Sequence, residues 1–190
     1  MRIISGSARG TSIQAPEGYD TRPVTDKIRQ SLFNIWQWKI PGSDFLDVFS
    51  GSGSMGIEAL SRNAQRVVMI EKAPKAVKVI QENIKKCHLE HSNHEILAQD
   101  AFVALPKLAQ NKETFNLIYL DPPYTVDSIF IPIMELLSSL PLLKEEGEIV
   151  IRTRKEKEMP ERFGNLVKYR EKVYGISKAH FYRKEEESDV

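Results

Sequence analysis

The chain has 190 residues, of which 41% are hydrophobic and 28% charged, and its formal net charge is +1. This length and composition are typical of one soluble globular domain with a full core. They exclude a membrane span, because no apolar run is long enough, and a disulfide framework, because Cys87 is the single cysteine. We therefore expect a cytoplasmic monomer in which any nucleic-acid contact depends on basic residues gathered on one face.

The first 40 residues are expected to form a β-hairpin followed by a helix. Residues 2–14 alternate around a Gly-containing turn, Ser5 to Gly10, which is typical of a short hairpin. Thr25 is a suitable N-cap for the helix, and Pro41-Gly42 ends it. Basic residues of this block form the predicted nucleic-acid-contacting set: Arg2, Arg9, Arg22, Lys27 and Arg29. The alternatives are solvated surface charges and, for Arg22, a salt bridge to Asp20 or Asp26.

From residue 45 onward, strand and helix patterns alternate. Apolar runs predict strands at 45–49, 66–71, 94–98, 115–120 and 147–152. Helical patterns lie at 55–62, 73–89, 102–109 and 129–140. Such β-α-β repeats indicate a doubly wound α/β fold with a parallel sheet. Two last runs, at 166–173 and 176–182, predict an antiparallel hairpin at one edge, so that a single domain covers 1–184 before a charged tail at 185–190.

The turn after the first strand of this core is a candidate ligand site. Gly51-Ser52-Gly53-Ser54-Met55-Gly56 matches G-x-G-x-x-G between a strand and a helix, which lets a ligand approach the backbone. Glu71 ends the next strand, at the spacing expected of an acid that binds ribose hydroxyls. Taken alone, this pattern is compatible with a dinucleotide.

Asp47, in the strand before the glycines, argues against a dinucleotide. Its carboxylate would lie near a pyrophosphate, and like charges at short range repel. S-adenosylmethionine carries an ammonium, a sulfonium and a ribose but no phosphate, so Asp47 and Glu71 suit it better than NAD. The alternative role for Asp47 is a hydrogen bond to the backbone of the following helix.

The end of the third strand completes the predicted cofactor site. Asp100 is expected to cap the helix that begins at Phe102, and it could also accept a hydrogen bond from an adenine amino group while Ala101 leaves room for the ring. The predicted cofactor-binding residues are Asp47, Phe49, Ser50, Gly51, Ser52, Gly53, Glu71, Lys72, Asp100, Ala101 and Asp121.

Asp121-Pro122-Pro123-Tyr124 follows the fourth buried strand and is the predicted catalytic turn. Prolines cannot continue a sheet ladder, so the chain leaves the sheet in a fixed shape. A carboxylate and a carbonyl that accept the N–H groups of a nucleobase amine make its nitrogen more nucleophilic and stabilise the charge that develops during methyl transfer. Tyr124 offers a face for base stacking. The alternative is a rigid proline loop with a surface tyrosine.

Two other segments receive simpler interpretations. Cys87 to His94 is rich in metal-ligating residue types, but no second cluster completes a set of four ligands, so no metal site is predicted. The basic run Arg152-Thr153-Arg154-Lys155 is followed by alternating acids and is expected to be a solvated sheet edge.

These motifs resemble S-adenosylmethionine-dependent amino-methyltransferases and, more closely, the RsmD family. The closer resemblance runs to about Tyr182 and is carried by Arg2-Ile3-Ile4-Ser5-Gly6, Arg22-Pro23, Arg29-Gln30-Ser31-Leu32-Phe33-Asn34 and Leu46-Asp47-Val48-Phe49-Ser50-Gly51-Ser52-Gly53. Ser50 and Tyr124 stand where the family often has Ala and Phe. The resemblance implies a seven-stranded sheet and methylation of guanine N2 in bacterial 16S ribosomal RNA, within an assembling 30S particle.

Other functions stay open at this point. The same turn serves adenine N6 or cytosine N4 of DNA, so a DNA methyltransferase is an alternative. A NAD-dependent oxidoreductase and a non-catalytic RNA-binding factor are alternatives from other classes.

Overall fold

A mixed sheet of eight strands organises residues 1–18 and 24–187, the parts of the chain that the computed structural model describes. The parallel part comprises β1 (Asp44–Val48), β2 (Arg66–Ile70), β3 (His94–Leu97), β4 (Phe115–Leu120) and β5 (Leu143–Arg154). The antiparallel part comprises β6 (Arg162–Phe163), β7 (Leu166–Tyr174) and β8 (Ser177–Lys184). The strand order is β3-β2-β1-β4-β5-β8-β7-β6. The predicted doubly wound α/β fold with an antiparallel last hairpin is confirmed.

Helices cover both faces of the sheet. They are α1 (Asp26–Ile35), α2 (Ser54–Ser61), α3 (Pro74–Lys86), α4 (Ala101–Gln110) and α5 (Phe130–Ser139), the last preceded by a single 3-10 turn at Asp127–Ile129. One core contains α1, α2 and α3 side chains, and the other contains those of α4 and α5. No helix in the described ranges has the length and apolar character needed to cross a membrane.

The strand count differs from the predicted seven because β6 adds a strand to the edge of the sheet. This two-residue strand pairs with β7, and Phe163 is buried with its ring centroid 5.6 Å from that of Tyr182. Gly164 then turns the chain with φ +56°. A strand of two residues has no periodicity, so sequence patterns gave no sign of it.

The N-terminal segment forms the predicted hairpin in a short form. Arg2 and Ser12 make an antiparallel bridge, and backbone hydrogen bonds join Ile3 N–H to the carbonyl of Thr11 at 3.0 Å and Ile13 N–H to that of Met1 at 2.8 Å. The hairpin is also bound to α2. Glu58 accepts hydrogen bonds from the N–H groups of Ile4 and Ser5 at 2.9 and 3.1 Å, and Ser61 Oγ accepts one from Ala8 N–H at 2.9 Å. The hairpin is therefore fixed on the helix that follows the glycine turn.

Arg29 lies beneath this hairpin, and its position differs from the predicted surface position. Its side chain is 0% exposed, pairs with Glu58 at 3.1 Å and Asp26 at 2.9 Å, and donates to the carbonyl of Arg2. A side chain that is fully buried in this way cannot reach a phosphate. Arg29 thus positions the N-terminal hairpin, and the prediction that it contacts nucleic acid is wrong.

Replacing Arg29 with methionine should lower the free energy of unfolding by about 3–5 kcal/mol, because Glu58 would keep its buried charge with one partner fewer. Urea denaturation measures the change. Arg9→Met is the matched control, since Arg9 is exposed, and it should change stability by less than about 0.5 kcal/mol. Equal losses of stability in the two variants would show that the buried Arg29–Glu58 pair contributes no more to the free energy of unfolding than an exposed arginine does.

The strand order reverses at β1, which lies between β2 and β4. Asp47 is in register with Met69 on one side and with Tyr119 on the other. Ligands of such sheets bind outside the carboxyl ends of the strands at the point of reversal. Because β1 pairs with both β2 and β4, the glycine turn and the Asp121 turn lie at one crevice.

Candidate active site

A cavity of about 360 Å³ lies outside the carboxyl ends of these strands. Small-molecule sites commonly measure about 300–1,000 Å³. Most of the predicted site residues line it: Asp47, Phe49, Ser50, Gly51, Ser52, Glu71, Lys72, Asp100, Ala101, Asp121 and Pro123. Three predicted residues lie beside the cavity without lining it: Gly53, Pro122 and Tyr124.

The glycine turn owes its shape to left-handed backbone. Phe49 (φ +64°), Gly51 (φ +58°) and Gly53 (φ +78°) all have positive φ. At Gly53 an added Cβ would also lie 3.1 Å from Ile80, so a larger residue would be crowded as well as strained. Phe49 adopts this costly conformation without being glycine, and such strain concentrates at functional sites.

Glu71 fixes the same turn from the neighbouring strand. Its Oε1 accepts a hydrogen bond from Gly51 N–H at 2.9 Å, and its Oε2 accepts one from Ala73 N–H at 2.9 Å. Each carboxylate oxygen can accept more than one hydrogen bond. Glu71 lines the cavity, so its predicted contact with ribose hydroxyls is compatible with this role and stays a prediction.

Asp47 makes the helix contact that was the alternative interpretation of this residue. Its buried Oδ2 accepts a hydrogen bond from Gly56 N–H at 3.1 Å, in the first turn of α2. Burial raises the pKa of Asp47 to about 7, and the charges of Asp121 and Glu71 contribute to the rise. The residue also lines the cavity, where a cationic ligand would stabilise its ionised form.

The charges around the cavity disfavour a pyrophosphate. Among the described lining residues there are four acids, Asp47, Glu71, Asp100 and Asp121, and one cation, Lys72. A bound anion would face net repulsion, whereas a cation with a ribose would be attracted. The predicted cap at Asp100 is confirmed, because its Oδ1 accepts a hydrogen bond from Phe102 N–H at 2.9 Å.

The N-terminal segment forms a wall of the cavity that the sequence did not reveal. Ala15, Pro16, Gly18 and Val24 line it. Asn83 of α3 holds the segment in place, because it donates to the carbonyl of Gln14 at 2.8 Å and accepts from the N–H of Gln14 at 3.0 Å. These contacts join distant parts of the chain, so no local pattern marks them. Arg22, predicted beside a ligand or phosphate, falls outside the described residues.

Asp121 presents two carboxylate oxygens in different situations. Arg152 donates to Oδ2 from Nη2 at 2.7 Å and from Nε at 3.1 Å, and Tyr119 Oη donates to the same oxygen at 3.3 Å. Within residues 1–18 and 24–187, no hydrogen bond of the protein reaches Oδ1. The side chain is 17% exposed and lines the cavity. One oxygen is thus held by the protein, and the other is available to a ligand.

Burial and the neighbouring Arg152 act in opposite directions on the pKa of the Asp121 carboxyl group. Burial raises the pKa of its carboxyl group, while the charge and hydrogen bonds of Arg152 lower it. Burial, with Asp121 nearby, raises the pKa of Tyr119, so this hydroxyl stays protonated and remains a donor. Arg152 is the main group that favours the ionised carboxylate, and the hydrogen bond from Tyr119 acts in the same direction.

Arg152 is the functional residue that the sequence interpretation missed. The expected solvated edge is wrong for Arg152 and Thr153, which are buried, and holds only for Arg154 and Lys155, which are exposed. The reason is that β5 continues past the end of β4 to Arg154 while still paired with β8, which places Arg152 beside the Asp121 turn. An arginine directly after the apolar run Ile149–Ile151 was the available signal.

Tyr124 is half-buried and surrounded by cations. The Cζ atoms of Arg152 and Arg154 lie 5.4 and 6.0 Å from its ring centroid. Its hydroxyl is buried beside Arg152 and Ser177, without a hydrogen bond of good geometry. The ring therefore has a fixed place next to Asp121, and its stacking on a base stays a prediction.

The remaining predicted residues lie on the surface. Arg2, Arg9 and Lys27 are exposed, as a contact with nucleic acid requires, and that contact stays a prediction. No group of three or more metal-ligating side chains comes together in the described part of the chain.

Comparison with known proteins identifies the family. The sequence profile described as "Conserved hypothetical protein 95" matches residues 1–183. A candidate rRNA methyltransferase of Bacillus subtilis, YlbH, is 38% identical over 97% of this chain and 99% of its own length. The Haemophilus influenzae protein named "Ribosomal RNA small subunit methyltransferase D" is 31% identical over 96% of this chain and 93% of its own length. The chain belongs to the RsmD family of methyltransferases.

A solved structure agrees with this assignment. A candidate methyltransferase of Escherichia coli, yhhF, has a TM-score of 0.82 and 31% identity, and the alignment covers 97% of this chain and 98% of that one. S-adenosylmethionine is the cofactor, and the acid-lined cavity fits its ammonium, sulfonium and ribose. The NAD alternative is therefore wrong for this RsmD-family chain.

We expect the raised pKa of Asp47 to make cofactor binding depend on pH. Because the folded-state pKa is about 7, above the ordinary value of 3.8, the stability that Asp47 gives to the free protein is present at low pH and lost as pH rises through about 7. A cationic cofactor favours the ionised form. Affinity for S-adenosylmethionine should therefore increase from about pH 6 to about pH 8, with release of a proton on binding.

Calorimetric titrations in two buffers of different ionisation heat measure that proton. Asp47→Asn is the control, because it removes the titrating group and the ligand's own titration is common to both proteins. The same pH dependence in both proteins would contradict the assignment of the proton to Asp47.

Proposed function

We propose that this protein methylates the exocyclic N2 of a guanine in 16S ribosomal RNA of the small ribosomal subunit. The observation that carries the proposal is the carboxylate of Asp121, with one oxygen held by Arg152 and Tyr119 and the other available at the cavity. The name of the Haemophilus influenzae relative supports the ribosomal substrate. The choice of guanine N2 comes from the sequence resemblance to the family.

The cofactor site prepares one reactant. When bound, S-adenosylmethionine supplies an electrophilic methyl group. We assign Glu71 and Asp100 as acceptors of hydrogen bonds from its ribose and adenine, and Asp47 as the counter-charge of its ammonium; all three line the cavity. These contacts orient the donor toward the Asp121 turn, so that much of the rate enhancement comes from alignment.

The Asp121 turn prepares the other reactant. The lone pair of a guanine amine is delocalised into the ring, which makes the nitrogen a weak nucleophile. We assign Oδ1 of Asp121 and the carbonyl of Pro122 as acceptors for its two N–H groups, which favours a more pyramidal nitrogen and stabilises the positive charge that develops there. The carboxylate also accepts the proton that the methylated nitrogen loses. Tyr124 would hold the flat base in position by stacking.

The test is methylation of small subunits from a strain that lacks this enzyme, with labelled S-adenosylmethionine and mapping of the modified base. Naked 16S RNA and assembled 30S particles are compared as substrates. Label at guanine N2 supports the proposal. Label at adenine N6 or cytosine N4, or transfer to DNA but not to either ribosomal substrate, overturns it.

A further inference from the structure

Exposed apolar side chains occur on three segments at the end of the sheet that carries the active site. In the described ranges, Val126 follows Tyr124 by two residues, and Phe102 is a cavity-lining residue. Val173 and Ile176 flank the tip of the β7–β8 hairpin and are 51% and 55% exposed. The hairpin tip therefore has more apolar surface than its own packing requires.

The turn at this tip has an unusual residue. β7 ends at Tyr174 and β8 begins at Ser177, so Gly175 and Ile176 form a two-residue loop. Gly175 has φ +57° and Ile176 does not have positive φ, the pattern of a type II′ turn. Small polar residues are favoured in such turns because they bond the local backbone. The exposed side chain of Ile176 is therefore not explained by the packing or the hydrogen bonding of the turn.

The tip borders the catalytic turn. The N–H of Lys155 donates to the carbonyl of Ile176 at 2.9 Å, and Ser177 is in register with Arg154. The Arg154 guanidinium in turn lies 6.0 Å from the centre of the Tyr124 ring. Ile176 therefore directly precedes Ser177, and the β5 partner of Ser177, Arg154, lies beside the Tyr124 ring.

The tip is braced rather than loosely attached. The hydroxyls of Tyr174 and Ser31 are hydrogen-bonded at 2.9 Å, and Lys172 Nζ donates to the same serine at 2.9 Å. Ser177 Oγ donates to the carbonyl of Tyr174 at 3.2 Å. α1 thus supports one side of the hairpin, so the tip can bear against a ligand without folding back.

Cations stand on both sides of this apolar tip. Arg154 and Lys155 are exposed at the end of β5, and Lys172 lies before Val173 on β7. An apolar centre with flanking cations complements a nucleic acid, whose bases are apolar and whose backbone is anionic. A protein partner of acidic character would match the cations but not the apolar tip.

We propose that the β7–β8 tip is a wedge that inserts Ile176, with Val173 beside it, against the bases next to the target guanine, while Arg154 and Lys155 contact the adjoining phosphates. This inference rests on the proposed function, in which the substrate is RNA. A base must leave its stack to reach Asp121, and an apolar side chain that takes its place lowers the cost of unstacking.

The test compares a folded and an unfolded substrate. The double variant Val173→Ser/Ile176→Ser should lower kcat/KM about 10- to 100-fold on folded 16S RNA, since unstacking costs a few kcal/mol per step. On a single-stranded guanine-containing oligonucleotide, where the stack is already open, the loss should be less than about threefold. In a folded RNA with 2-aminopurine beside the target, the fluorescence rise on binding of the wild-type protein should be absent with the variant.

Val103→Ser is the matched control, because Val103 is also exposed but lies on α4. Serine suits a type II′ turn, so unchanged melting and cofactor affinity are expected for the double variant. Equal losses on both substrates, an unchanged 2-aminopurine signal, or a loss confined to protein-bearing particles would overturn the wedge. A wild-type protein that methylates neither RNA nor 30S particles would instead overturn the proposed function.

Discussion

Asp121→Asn should lower the rate of methyl transfer by about 100-fold or more, the scale found when a hydrogen-bonding group of a transition state is lost. The reason lies in the donors around Oδ2. Arg152 and Tyr119 both donate there, so the amide oxygen of asparagine will take that position. Its NH₂ group then occupies the position of Oδ1 and presents hydrogens to an amine that needs acceptors. Single-turnover transfer of labelled methyl groups to small subunits measures the effect.

Cofactor binding separates this effect from damage to the site. The affinity for S-adenosylhomocysteine should be nearly unchanged in Asp121→Asn, because most groups assigned to the cofactor lie in the turns after β1 and β2 and at the start of α4. Asp127→Asn, which alters an exposed acid in the loop after the turn, should leave the rate as it is. Methyl transfer within tenfold of the wild-type rate in Asp121→Asn would remove Asp121 from its assigned role.

The parts of this site that sequence patterns predicted lie at the ends of strands. Asp47 lies in a strand with a clear apolar pattern, and Glu71 and Asp121 each directly follow one. Parallel strands bring their carboxyl ends to one edge, so the joining of these acids in one crevice followed from the order of elements. The glycine turn was equally accessible, because its spacing is a local property.

The parts that were missed depend on contacts between distant segments. Arginine is usually a surface residue, yet Arg29 and Arg152 are both buried. Each forms an ion pair with an acid far away in the sequence, Glu58 for Arg29 and Asp121 for Arg152. Charge patterns along the chain cannot show such partners. The same holds for the cavity wall at Ala15 to Gly18, which Asn83 holds from α3. β6 was missed for a different reason, since two residues carry no period.

Arg152→Met should slow methyl transfer at neutral pH by about tenfold or more and should shift the rising limb of the pH–rate profile to higher pH. Burial already raises the pKa of Asp121, and Arg152 lowers it most, with a smaller contribution from the Tyr119 hydrogen bond. Within residues 1–18 and 24–187, the other groups near this carboxylate are Tyr119, Asp47 and Tyr124, none of which carries a positive charge. Without Arg152 the pKa of Asp121 rises further, so more of the carboxyl is protonated near pH 7 and activity returns as the pH increases. Rates measured from roughly pH 6 to pH 9 test this.

Two further variants distinguish positioning by Arg152 from a general loss of stability. Arg152→Lys keeps a positive charge but cannot reproduce the two N–H bonds to one oxygen, so it should restore most of the pH profile and only part of the rate. Arg66→Met is the structural control, because Arg66 pairs with Glu113 and lies over the ring of Phe115 much as Arg152 pairs with Asp121 beside Tyr124. It should reduce stability without moving the profile. If Arg66→Met and Arg152→Met lower the rate alike at every pH, Arg152 acts on the fold; if only Arg152→Met shifts the profile, its charge sets the ionisation of Asp121.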